Sequence, residues 1–399
     1  MLVCPICRKQ WGREAVCSSI VLRAALQSPL PAELAALADR TLGLAYHTPG
    51  LLSSPAWPSA GSFATMDDTG VCQPAQQPDW AFKRTPVEAA EGAEVDWGAR
   101  VWWEAAVLSL CQHLGEPEQS RPVVTLHGWV MREGSSWLCR DSDQPDAIFG
   151  MQRCSQTLDA LVSQHAGGLD EQAALPLAFH LACALRTLHE CDSNQAKQAG
   201  VQGVLHNAVQ PDHVLLAEEG DHVILCGLGN AALLVPHTLA PPWIVEDGEF
   251  TAPEIVAVDV RSSKVASVLT RSVDAWGFAT TVLFMLTGAL GPIACLISAV
   301  LLRCAHPVRH DSYVAGNKPY SHIRSVRKRI QAQVDGDMPY AVHQLRVSAK
   351  LKTLLGECLN GRAHDRPSMQ EITHRLGYLH SWGLLRSNMM LQAENDRLR

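Results

Sequence analysis

Apolar residues recur at three- and four-residue spacing over Val101–Leu114, Leu158–Gln164 and Ala173–His189, and the spacing predicts helices in all three stretches. Upstream the pattern is shorter. WAFKR at 80–84 reads as a strand, and PVVTLHGWVM at 122–131 and SSWLCRD at 135–141 are strand-like. VLLAEEGDHVILCG at 214–227 reads as a hairpin, with two β-rich runs around a polar Glu-Glu-Gly-Asp turn. Beyond Asp274 nearly every segment reads as helical. This order predicts an α+β plan in two lobes, a small β-rich one followed by a larger helical one. An Ala/Leu-rich helical pattern over Ser18–Leu44 and a Pro/Ser/Gly-rich linker over Thr48–Gly61 come before them.

Composition narrows the classes. With 47% hydrophobic and 18% charged residues the chain is an ordinary globular one rather than a disordered one. A net charge of −7 gives no reason to expect nucleic acid. The basic run Arg324–Arg329 reads as a solvated helix face or as a phosphate or lipid patch. The chain has thirteen cysteines, an odd number, and its first residues, MLVCPICRKQ, lack the apolar core of an export signal, so reduced thiols and a cytoplasmic location are expected. Ala279–Leu302 carries no charge and is apolar enough to raise a membrane span. Gly288, Gly291 and Pro292 interrupt it, and its first half is better read as a buried helix, so no membrane association is expected.

Several ordered motifs add chemistry. Val204–Leu216 reads VLHNAVQPDHVLL; VILCGLG stands at 223–229, TAPE at 251–254, SVDAWGFATTVLFMLTG at 272–288 and RAHDRPSMQEI at 362–372. In the β-rich half, Ala81-Phe82-Lys83 is followed by Glu104 and then His113. Together these resemble the eukaryotic protein kinases, over about residues 57–380: the catalytic loop V-x-H-R-D-L-K-P-x-N-I-L-L, the D-F-G turn, the A-P-E segment, the central D-x-W-S-F-G helix, the terminal conserved Arg, and the A-x-K strand with its helical Glu. The resemblance implies a two-lobed kinase-like fold, with lobes expected at 57–150 and 151–380.

The same resemblance locates what is missing. Phosphoryl transfer needs a carboxylate to orient the attacking hydroxyl and hard oxygen ligands to hold Mg²⁺. Ala208 stands at the position of the catalytic Asp, Gln210 at that of the following Lys, His213 at that of the metal-binding Asn and Gly227 at that of the D-F-G Asp. Of the glycine-rich loop only Gly61 is kept, in Ser59–Met66, which leaves a poorer phosphate cradle. The resemblance further implies structural roles for His206, for Glu254 paired with Arg366, and for Asp274 holding the loop backbone. Lys83 and Glu104 read equally as a phosphate-binding pair and as an inherited ion pair. Asp212, Glu218, Glu219 and Asp221 are the carboxylates near enough in sequence to stand in for the missing base.

The termini carry weaker signals. Cys4-Pro5-Ile6-Cys7-Arg8, within a segment taken as 1–20, resembles the last ligand pair of a RING finger. It reads either as a RING remnant or as two reduced thiols, and two ligands do not complete a zinc site. Residues 21–56 form the helical segment and linker. Leu384, Leu391 and Leu398 lie at heptad spacing within 381–399, which resembles the start of a leucine zipper through which the chain could dimerise. The expectation is a kinase-like domain without catalysis that binds or scaffolds protein partners; ATP, if bound, would bind weakly and without Mg²⁺. The alternatives are a truncated RING-type ubiquitin ligase, which the RING-plus-kinase layout of some plant ligases supports, and a weakly active kinase.

Overall fold

The computed structural model describes residues 2–3, 10–11, 71–72, 80–86, 97–111, 121–132, 146–192, 201–217, 222–235, 250–256, 268–288 and 345–381, with single positions between them. The pair Cys4 and Cys7, the helical pattern at 18–44, the loop containing Gly61, the run at 135–141, the basic run at 324–329, the segment 291–320 and the zipper-like leucines lie outside the described residues. At the N-terminus β1 (Leu2–Val3) and β2 (Gln10–Trp11) pair antiparallel.

The small lobe is one antiparallel sheet and one helix. Strands β3 (Val71–Cys72), β4 (Trp80–Pro86), β5 (Leu126–Arg132) and β6 (Asp146–Gln152) lie in the order β3-β4-β6-β5. The register sets Lys83 opposite Phe149 and Phe82 opposite Gly150. Helix α1 (Trp97–Cys111) carries Trp103, Ala105, Val107, Leu108 and Cys111 into the common core. Along β4 the adjacent Ala81 and Phe82 are both buried, so both faces of the strand are covered there, and Lys83 is half-buried beside them.

The larger lobe is helical, with short strand pairs at its upper edge. Strands β7 (Gln156–Thr157), β9 (Val214–Leu216) and β10 (Val223–Leu225) form one ribbon, and β8 (Gly203–Leu205) and β11 (Ala232–Leu234) another. Helix α2 (Leu158–Ser163) is capped by Thr157, and α3 (Glu171–Glu190) by Asp170, whose carboxylate accepts from the Ala173 amide. Helix α3 buries Ala174, Leu177, Ala178, Leu181, Leu185 and Leu188, a stripe at helical spacing. The short helix α4 (Pro253–Val256) precedes α5 (Ser272–Thr287), which is mostly apolar and buried along nearly its whole length, as befits the centre of a large lobe. Among the described residues no helix is long and apolar enough to cross a membrane.

Close backbone contact explains one glycine pair. Gly288 ends α5 at φ 64°, Gly168 precedes α3 at φ 87°, and a Cβ on either would strike the backbone of the other segment. Helices α6 (Ala349–Cys358) and α7 (369–381) complete the lobe. Ser348 caps α6 and is itself held by the Glu171 carboxylate at 2.6 and 2.7 Å, which ties the starts of α3 and α6 together.

The lobes meet through backbone. Val123 bridges Leu225, the Val124 amide donates to Leu225 O at 2.8 Å, and the Leu225 amide donates to Pro122 O at 2.9 Å. The mixed layout, with a small sheet lobe and a large helical one, is the plan expected from the order of patterns along the chain. One element differs. The run DAIFGMQ forms β6, the strand hydrogen-bonded to both β4 and β5, although its own pattern is broken by Gly150 and headed by Asp146. Pairing on both edges, with Phe149 and Met151 in the core, overrides that weak propensity.

Candidate functional site

Between β8 and β9 the chain makes a loop, 206–210, and a single 3-10 turn, Pro211–His213. Its floor is set by Asp274, in the first turn of α5. One carboxylate oxygen accepts from the His206 amide at 2.9 Å and from the His189 ring at 2.8 Å; the other accepts from the Asn207 amide at 2.8 Å. Burial alone would raise the Asp274 pKa. The His189 hydrogen bond and charge, His206 and the Asn207 amide outweigh it and hold the carboxyl below its ordinary value. Asp274 is thus a buried anion that organises the loop.

His206 is fully buried, and its Nε2 donates to Cys226 O at 2.9 Å. Burial pushes this imidazole below its ordinary pKa despite the pull of Asp274, so it is neutral at pH 7. The bond connects the loop to the turn after β10. Asn207 connects it again: at φ 59° it takes the left-handed conformation that Asn tolerates, and its side chain donates to Asn230 O at 3.1 Å.

A third connection reaches the small lobe. The Trp103 indole N–H donates to Ala231 O at 2.9 Å, in a buried contact that fixes α1 against the turn Leu228–Asn230. On the next residue of α1, Glu104 lies 3.6 Å from Lys83 Nζ, with side-chain exposures of 10% and 31%. The separation is that of an ion pair rather than of a short charge-assisted hydrogen bond. Cys226 sits nearby; burial, opposed by Lys83, pushes its thiol up to about 12, which keeps it protonated and a poor nucleophile at neutral pH.

Far from the loop, Arg366 forks onto Glu254 at 2.7 and 2.8 Å and also donates to Ser272 O and Asn360 O. Its guanidinium lies 5.1 Å from the Trp276 ring centroid, and its side chain is fully buried. Every face of this cation is therefore used.

The positions expected to carry the chemistry are otherwise occupied. Ala208 presents a methyl group. The His213 ring donates from Nδ1 to Ala208 O at 2.8 Å, and Gln210 Nε2 lies 3.4 Å from its Nε2. Gly227 sits at φ 75°, ψ 41°, and a Cβ placed on it would fall 2.5 Å from His213 Cδ2 and 2.6 Å from Cγ. Asp212 is exposed on the outer side of the 3-10 turn. A magnesium ion needs several hard oxygens in octahedral array. An imidazole and a glycine do not supply them, and among the described residues no three His, Cys, Asp or Glu side chains gather as a metal site. Among the described residues the donor set does not fit the ion.

Sequence reasoning led by motif to Lys83, Glu104, His206 and Asp274 around this site, and to the distant pair Glu254 and Arg366. It did not single out Trp103, His189 or Asn207, because what marks them is a partner more than 20 residues away. The one local signal was Asn207, an Asn at a tight turn. A family model described as Protein kinase domain matches residues 69–376.

Proposed function

The chain belongs to the protein kinase domain family, and from that premise we propose that it is a catalytically inactive member, a pseudokinase, which acts by binding or scaffolding protein partners in the cytoplasm. One observation carries the reading: Asp274, His206 and Asn207 hold the loop by buried hydrogen bonds, while Ala208 and Gly227 offer it neither a proton acceptor nor a metal ligand. A fold kept in this detail without its chemistry suits recognition by surface. The Lys83–Glu104 pair gives the phosphates of ATP a cation to meet, so nucleotide binding, where it occurs, is weak and independent of Mg²⁺.

The direct test is radiolabelled phosphoryl transfer by the purified chain to itself and to a generic acceptor, beside a Lys83→Met control. Equal backgrounds are expected. Mg²⁺-dependent transfer abolished by the Lys83 change would establish the weakly active alternative.

A further inference from the structure

We infer that His213 plugs the position from which an acidic side chain at residue 227 would reach a metal, and that Gly227 is a glycine because the ring stands there. The inference deepens the inactive reading and rests on it for its meaning. In that reading two ligands have been lost; here their volume has also been refilled.

The geometry supports a fixed conflict rather than a chance approach. A Cβ on Gly227 would lie 2.5–2.7 Å from three atoms of the His213 ring, closer than real Cβ contacts come. The left-handed conformation itself does not exclude Asp, which visits it more readily than most residues. The obstacle is the ring. Cγ is among the atoms struck, so bending the far edge of the imidazole aside brings no relief.

Neither side can easily retreat. The ring is held by Nδ1 donating to Ala208 O at 2.8 Å, and its backbone by the His213 amide donating to Gln210 O at 2.9 Å. Across from it, the Cys226 amide donates to His213 O at 2.9 Å and Cys226 O accepts from His206. Beyond Gly227, the buried turn Leu228–Asn230 is pinned by Asn207 at Asn230 O and by Trp103 at Ala231 O. Residues 213 and 227 are thus clamped at a spacing that admits one side chain and not two. Restoring the acid at 227 alone would overpack the loop, so a return to metal binding has to begin at 213.

The test is a double-mutant cycle read by thermal unfolding without nucleotide or metal: wild type, Gly227→Asp, His213→Ala and the double variant. Gly227→Asp is expected to lower the midpoint by about 5 °C with His213 present, and by less than half of that in the His213→Ala background. Equal losses in both backgrounds, or no loss in either, would overturn the inference. If Gly227→Asp does not fold, a double variant that folds supports it; a double variant that also fails while His213→Ala folds overturns it. Millimolar Mn²⁺ should leave the Gly227→Asp midpoint unmoved, and a rise there would show that an ion fits beside the ring and overturn the plug. Transfer activity of the wild type plays no part in these readouts, so the inference and the inactive reading can fail separately.

Discussion

Two sets of positions that the family's motifs single out differ sharply in this chain. Around Arg366 and Asp274 every charge still has its partner: Glu254 forks with Arg366, and Asp274 takes two backbone amides and the His189 ring. At the loop, Ala208, Gln210, His213 and Gly227 stand where, on the proposed reading, the acid, the lysine and both metal ligands would be. The difference lies in who supplies the partner. In the first set each buried charge is paired with or hydrogen-bonded by other groups of the chain, so losing a partner leaves a charge stranded in a low-dielectric interior. In the second the partners would be a metal ion and a substrate from outside. Folding loses nothing when such side chains go, and gains where clustered carboxylates would have repelled one another.

The largest effect should come from breaking the first set. Arg366→Ala strands Glu254 and removes the cover from Trp276; chemical denaturation should show a loss of about 3–5 kcal/mol. Adding Glu254→Ala should cost clearly less than the sum of the single changes. If the two losses simply add, Arg366 and Glu254 do not act as one unit.

Trp103→Phe is next. It keeps an aromatic ring but leaves Ala231 O without its donor, for a loss of about 1–3 kcal/mol. Amide hydrogen exchange should quicken around residues 228–231. A stability loss with exchange unchanged there would mean that the contact fills space without clamping the turn.

Lys83→Met tests the boundary between the two sets. The pair is 3.6 Å apart with its Lys about a third exposed, so solvent screening leaves it worth at most about 1 kcal/mol. A loss comparable to that of Arg366→Ala would move Lys83 into the structural set.

The smallest effect is a pH dependence. The folded-state pKa of His206 is lowered, so between it and the ordinary value near 6.5 the unfolded chain binds more protons. This contribution to stability is complete above about pH 6.5 and is lost as the pH falls below it. The depressed Asp274 acts in a lower window: its contribution is present above about pH 3.9 and is lost as the pH falls toward its folded pKa. His206→Gln should flatten the stability–pH curve just below 6.5 and leave the acid limb in place. An unchanged slope below 6.5 would show that His206 does not titrate between the two states.

The periods of the pattern determined much of this by themselves. The stripe of α3, the largely apolar run of α5 and the hairpin of β9 and β10 could be read because each depends on residue pattern within one short segment. The motif order likewise led to Lys83, Glu104, Glu254, Asp274 and Arg366, since their chemistry shows in residue type and place. Packing decided the rest. Strand β6 exists because two neighbours hold its edges. Trp103 matters because Ala231 O lies within its reach. A His at 213 and a Gly at 227 read along the chain as two separate losses. Only the folded loop sets the ring of one in the place of the other's side chain, because volume is shared in space and not along the sequence.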